Sequence, residues 1–142
     1  MQVENILQSK GHTVYTVEAG APLSEAVHIL NKHKIGAVVV VDAKGKVAGI
    51  LSERDIVRRL DKDPIALLAG PVRGAMTTKV ITTTSAASVS DLMEQMTRHR
   101  IRHIPIVENG KLTGIVSIGD VVKRKIEEAE QEATALKEYI AS

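Results

Sequence analysis

The stretch "GILSERDIV" at residues 49 to 57 returns as "GIVSIGDVV" at residues 114 to 122. In each, a glycine and two aliphatics lead to Ser52 or Ser117, two variable residues follow, and Asp55 or Asp120 opens onto two more aliphatics. The likeness extends outward, so that the stretch from Val14 to Leu60 aligns with that from Val80 to Ile126. Gly49 pairs with Gly114 and Asp55 with Asp120 at one common offset, and one extra residue in "VDAKGK" against "VENGK" shifts earlier pairs such as Leu23 and Val89 by one. A duplicated unit constrains the fold more than composition does, because both copies must reach one structure and neither half buries itself alone.

The periodicity within each copy is the same. A short β-rich segment, Val14 to Val17 or Val80 to Thr83, precedes a helix whose apolar positions recur at helical spacing: Leu23, Ala26, Val27 and Leu30, or Val89, Leu92, Met93 and Met96. Two strands follow, "AVVVV" then "VAGIL", or "HIPIV" then "LTGIV", each pair joined by a turn containing Gly45 or Gly110. A helix opened by Ser52 or Ser117 closes the unit. Each copy therefore reads β-α-β-β-α, with strands too apolar to leave a face in water. The expected fold is α/β (α+β): two pseudo-symmetric repeats packed sheet to sheet, with a C-terminal helical extension. The expected boundaries are residues 1–70, 71–126 and 127–142, within one compact module.

Composition removes several classes of function. At 142 residues the chain can bury roughly 68–70% of its unfolded surface. It has no cysteine, hence no disulfide framework, thiolate metal site or cysteine nucleophile. A formal net charge of +2 gives no bulk attraction to polyanions, and the absence of Phe and Trp removes the platforms on which single-stranded bases stack. Nucleic acid is therefore not the expected partner. The first residues have no basic leader, and "IGAVVVV" is far short of the roughly 18 apolar residues that a membrane span requires. The chain reads as soluble, untargeted and cytoplasmic, with no membrane partner.

With these elements in order, the chain resembles a stand-alone tandem pair of cystathionine-beta-synthase (CBS) domains, a Bateman module. The resemblance runs from about Val14 to Ile126, and "VENIL" and "VRGAMTTKV" match the short lead-in helix ahead of each copy. It implies a regulatory module that binds an adenosine nucleotide, with no required cofactor and no catalysis of its own. AMP, ADP, ATP, NAD(H) and S-adenosylmethionine all carry the adenosine concerned.

Two readings of Ser52 with Asp55, and of Ser117 with Asp120, stand side by side. In one, each serine caps its helix and the acid three residues on returns a bond to the cap N–H, although such boxes favour Glu or Gln over Asp. In the other, the carboxylate beside a helix start accepts bonds from two vicinal ribose hydroxyls and the free N–H groups favour phosphate. Carried over from the resemblance, Asp55 and Ser52 would work with Ile81, Arg102, His103 and Pro105. Asp120 and Ser117 would work with Tyr15, Ile35, Gly36 and Ala37. Arg54 beside Asp55, with Arg102 and His103, makes the first site the cationic one, whereas Gly119, Gly36 and Ala37 hold the matching positions of the second. Arg98 and Arg100 fall near a helix C-terminus, where cations offset the helix dipole, and Arg98 reads as such a cap.

No catalytic or metal constellation emerges. His99 and His103 are separated by an expected helix end and lack a third ligand at usual spacing, and neither Ser52 nor Ser117 has a nearby histidine in sequence to act as a base. After Gly119 the chain has no Gly or Pro, and Val122, Ile126, Ala129, Ala133, Leu136 and Ile140 recur at spacings of three and four. That tail is expected to be helical and to contribute to a homodimer. Two functions follow: an adenosine-nucleotide sensor that acts on an unidentified regulated protein, or a structural dimerisation module with vestigial sites.

Overall fold

A computed structural model describes residues 1–142. The first half runs α1 (Val3–Lys10), β1 (Thr16–Glu18), α2 (Leu23–His33), β2 (Ala37–Val41), β3 (Val47–Ser52) and α3 (Glu53–Val57). After α4 (Pro64–Ala69) and a single 3-10 turn at Val72–Gly74 come α5 (Val89–His99), β4 (His103–Glu108), β5 (Lys111–Ser117) and α6 (Ile118–Ala141). The β-α-β-β-α order is complete in the first copy. In the second, the stretch from Val80 to Thr83 contributes only one parallel bridge, Thr83 to Ile106, so its sheet has two strands rather than three. The lead-in helix implied ahead of the second copy is likewise only the 3-10 turn.

The equivalent helices α2 and α5 stop alike, although only α5 starts on a side-chain cap. α2 and α5 are both 11 residues long, and each ends on a residue in the left-handed conformation, Lys34 at φ 54° and Arg100 at φ 53°. Ser88 caps α5 by accepting from the Asp91 N–H at 3.0 Å. β2 lies between β1, parallel to it, and β3, antiparallel to it; Val38, Val39 and Val40 are accordingly all fully buried. Asn109 and Gly110 both adopt positive φ, as a tight hairpin between β4 and β5 requires.

The two halves do not own their cores. One cluster joins Val17, Leu23, Leu30, Val38, Leu51 and Ile56 of the first repeat to Val72 and Ala75 from the lead-in of the second. The other joins Val89, Leu92, Ile104, Ile106 and Val116 of the second repeat to Val3, Ile6 and Leu7 of α1, which precedes the first. Chain order groups α1 with the first repeat, whereas packing groups it with the second. This exchange explains the glycine of the repeated motif. A Cβ on Gly49 would lie 2.7 Å from Met76 Sδ and 2.8 Å from the Thr77 carbonyl oxygen, and one on Gly114 would lie 2.8 Å from Leu7 Cδ2. Each glycine is the position over which the other repeat's lead-in passes. No helix is long and apolar enough to cross a membrane.

Candidate functional site

Asp55 is held at the start of α3 by the end of β3 and by the crossing lead-in. Its Oδ2 accepts from the Ser52 N–H at 2.9 Å and from Ser52 Oγ at 3.1 Å, while the Asp55 N–H donates to Ser52 Oγ at 3.3 Å. Thr77 Oγ1 donates to Oδ1 at 3.2 Å. The capping box is therefore formed, and the residue is only 8% exposed. Capping does not exhaust the carboxylate, because each oxygen has two acceptor positions and Oδ1 receives a single bond within the chain. Asp55 also lines a cleft of about 480 Å³ between the halves, so its remaining acceptor capacity faces a space large enough for a small ligand.

The cleft has two chemically distinct parts. Ala37, Ile50, Val80, Ile81 and Ile101 supply apolar surface of the kind that takes a planar base. Arg54, Arg58, Lys79, Arg100 and Arg102 supply five cations against the carboxylates of Glu53 and Asp55. A ligand with an apolar ring, vicinal hydroxyls and an anionic end matches all three features of this lining.

The equivalent Asp120 is engaged differently. Its Oδ2 accepts from the Ser117 N–H at 2.8 Å and from Lys10 Nζ at 2.7 Å, and Lys10 also donates to the Ile115 carbonyl at 2.8 Å. Lys10 is the last residue of α1, so the exchanged helix delivers an ammonium to the second carboxylate where the first receives only the Thr77 hydroxyl. Burial alone would raise the Asp120 carboxyl. The hydrogen bond from Lys10, the Ser117 N–H and the lysine charge outweigh it and hold Asp120 below the usual carboxylate range. The second Ser–x–x–Asp motif thus carries an ion pair on Oδ2 that the first lacks.

His103 lies at the junction of the halves. It is paired in register with Ser117, and its ring is so near Gly36 that a Cβ there would lie 3.3 Å from His103 Cε1. Burial disfavours the imidazolium and lowers the pKa below 6.5; Lys10 and Arg102 act in the same direction, while Asp120 and Glu53 oppose. At neutral pH the ring is therefore held in its neutral form. In the unfolded chain the ring takes up a proton below 6.5, where the folded protein does not. Stability should therefore be intact above about pH 6.5 and fall as pH drops from there to the lowered folded value. Urea unfolding of wild type and His103→Gln between pH 7.5 and 5 checks this, with a shallower decline expected for the variant; parallel declines would remove His103 as the cause.

The remaining expected residues divide unevenly. Ser52, Arg54, Ile81, Arg102 and His103 line the cleft with Asp55, as grouped from the sequence. Pro105 does not: it lies within β4, and its carbonyl accepts from the Thr83 N–H at 3.2 Å. Gly36 and Ala37, assigned to Asp120, line the Asp55 cleft instead, because β2 pairs Ala37 with Ser52 and the Gly36 carbonyl accepts from the Glu53 N–H at 3.0 Å. Tyr15 stacks on His33 with ring centroids 3.6 Å apart, and Ile35 packs against the first core; neither lines the cleft. Arg98 pairs with Glu94 at 2.6 Å on the surface, but Arg100 turns into the cleft lining rather than serving only as a cap. Sequence reasoning missed Arg58, Thr77, Lys79 and His99. The "TTK" of the second lead-in was a usable signal, since the exchange brings it against Gly49 and Asp55.

Comparison with known proteins agrees with this architecture. The family model described as "CBS domain" matches twice, at residues 6–62 and 72–127. A CBS-domain-containing protein from Agrobacterium tumefaciens is 46% identical with a TM-score of 0.83, covering 87% of this chain and 92% of that one. The CBS domain pair of protein MJ0100, solved in complex with 5'-methylthioadenosine and S-adenosyl-L-methionine, is 26% identical with a TM-score of 0.80, covering 90% and 98%. Among curated proteins, an uncharacterized 17.7 kDa protein of Acidianus ambivalens is 38% identical over 78% of this chain and 66% of its own length. The mitochondrial CBS domain-containing protein CBSX3 of Arabidopsis thaliana is 38% identical over 82% and 58%. This chain thus spans about two thirds or less of those two relatives. The duplicated β-α-β-β-α unit, the exchanged lead-ins and the two matched segments establish that the chain belongs to the CBS domain family, as a tandem pair.

Proposed function

We propose that this protein is a regulatory module that binds an adenosine nucleotide of the AMP, ADP, ATP or NAD(H) type in the cleft at Asp55. The observation that carries the reading is the Asp55 carboxylate in the cleft lining, with a single bond on Oδ1, set between apolar surface and five cations. A ribose diol donates to the carboxylate, the base lies against Ile50, Ile81 and Ile101, and the phosphates meet Arg54 and Arg102. Charge-assisted bonds of this kind are roughly twice as strong as neutral ones, so phosphorylated ligands bind ahead of adenosine. The two ligands in the solved complex of protein MJ0100 both carry an adenosine group and support the reading. Regulation follows from differential affinity: a ligand that bridges both halves favours whichever relative arrangement it fits better. Assembly into a homodimer in the cytoplasm belongs to the same reading, because a change of shape needs a surface that reports it.

Thermal denaturation with adenosine, AMP, ADP, ATP, NADH and S-adenosylmethionine tests the proposal. A ligand at a hundred times its dissociation constant adds about 2.7 kcal/mol to the folded state, which raises the melting temperature by several degrees. No shift with any of them would leave the alternative, a structural dimerisation module with vestigial sites.

A further inference from the structure

Helix α6 is 24 residues long, but only its first turns are covered by the module. Val121 is buried, Arg124, Glu127 and Glu128 are half-buried, and every residue from 131 onward is exposed. Its apolar residues lie elsewhere: Val122, Ile126, Ala129, Ala133, Leu136 and Ile140 follow one another at steps of 4, 3, 4, 3 and 4. At 100° per residue, that seam lies roughly 150° around the helix from the docked side. Leu136 is 60% exposed and Ile140 74%, on the part of the helix that the module leaves uncovered. A strict alternation of 3 and 4 is the heptad pattern of a two-helix seam, in which Ile126, Ala133 and Ile140 take one core position and Val122, Ala129 and Leu136 the other.

The charges beside the seam select the occupant and its direction. Lys125 and Glu132 flank one edge, and Lys123, Glu130 and Lys137 flank the other. In a parallel pair, a residue on the first edge meets the residue five positions later on the second edge of its neighbour. Lys125 then faces Glu130 of the partner subunit, and Glu132 faces the partner's Lys137. Each contact occurs twice, giving four attractive pairs. An antiparallel pair with all six layers matched instead sets Lys123 against the partner's Lys137, and Glu130 and Glu132 each against its own copy. Sliding that pair by one heptad restores opposite charges but strips either Leu136 and Ile140 or Val122 and Ile126 of their cover. In the single chain Lys125 rests 3.6 Å from Glu128, a solvent-screened pair on the same helix that pairing redirects at little cost.

We infer that the free length of α6 docks on the α6 of a second copy as a parallel, in-register two-stranded coil. Ile over Leu in the last heptad favours two strands, and the alanine layers at 129 and 133 let the helices approach closely. Both modules then stand at the same end of the coil, on its outer sides. The inference is independent of what the cleft binds.

Sedimentation equilibrium of the full chain should give a dimer, and Leu136→Asp with Ile140→Asp a monomer whose melting in circular dichroism still reports a folded module. Glu132→Lys should raise the dimer dissociation constant roughly tenfold, and adding Lys137→Glu should restore it. Because the chain has no cysteine, Leu136→Cys introduces the only thiol. Mild oxidation should link two Leu136→Cys chains to each other, since parallel pairing sets position 136 against itself within disulfide reach. A monomeric wild type, a dimer unaffected by the double aspartate variant, or cross-linking of Leu136→Cys with Ile126→Cys in place of Leu136→Cys with itself would each overturn the inference.

Discussion

Gly49→Ala is expected to destabilise the protein by about 3 kcal/mol or more, well beyond Gly114→Ala at the equivalent position. The added methyl at 49 meets the backbone oxygen of Thr77 at 2.8 Å as well as Met76 Sδ at 2.7 Å. A backbone atom cannot rotate away. Ile50 and Thr77 exchange two backbone hydrogen bonds of 3.0 and 2.9 Å, so relief of the clash costs these as well, at about 0.5–1.5 kcal/mol each on top of about 1–3 kcal/mol for overpacking. At 114 the obstacle is the far end of Leu7, a side chain with other rotamers. Leu7→Ala alone leaves a cavity in the second core and should cost about 2–5 kcal/mol. Placed together, Gly114→Ala and Leu7→Ala should cost less than their sum, because the new methyl partly fills the space that the old side chain left. Urea unfolding of the four proteins measures this cycle. Equal losses for the two glycine variants, or strict additivity with Leu7, would contradict the account of the crossing lead-ins.

Asp55→Asn is expected to weaken nucleotide binding by roughly a hundredfold or more, whereas Asp120→Asn leaves it near wild type. Two hydroxyl bonds to a carboxylate are each worth about 1.5–3 kcal/mol, and the amide forfeits most of that while keeping an acceptor for Thr77. Asp120→Asn instead strips Lys10 of its partner, so its cost falls on stability. Arg102→Ala should preserve affinity for adenosine and lose the preference for phosphorylated ligands. The converse change is Lys10→Met, which frees the Asp120 carboxylate and is expected to reveal a second, weaker binding event. Calorimetry resolves all four. Indistinguishable binding by the Asp55 and Asp120 variants would mean that the ion pair at Lys10 does not separate the two motifs.

The strands, the long helices and the two Ser–x–x–Asp turns were legible because each is specified locally. Alternating or continuous apolar runs set β2 to β5, the 3.6-residue period set α2 and α5, and a serine three residues ahead of an acid set the starts of α3 and α6. Helix α4 went unread although Asp63 caps it by accepting from the Ala66 N–H at 3.1 Å and Pro64 takes its first position; six residues carry too little periodicity. The partition of the cores was not legible for a different reason. An apolar face at Val3, Ile6 and Leu7 announces that something covers it, but not which repeat does so. The same gap hid Lys10 and Thr77, whose positions follow from the exchange. Nor was it legible that strand register sets Ala37 opposite Ser52 and so brings Gly36 and Ala37 into the Asp55 cleft. The lowered pKa of His103 depends on burial at the junction of the halves, a property of three dimensions alone.

The exchange of lead-ins also sets a timetable. The first core draws on residues between Val17 and Ala75, so it has all its parts once little more than half of the chain exists. The second begins at Val3 and ends at Val121. Helix α1 is made before its cover is complete: more than a hundred further residues, which take ~5–20 s at ordinary rates of synthesis, separate it from Val121. Throughout that interval three core side chains of α1 have no surface to rest on. The rest of that helix, Glu4, Asn5, Gln8, Ser9 and Lys10, is polar enough to keep it in water while it waits. Closing the second core therefore joins residues more than a hundred positions apart, and the same closure carries Lys10 to Asp120.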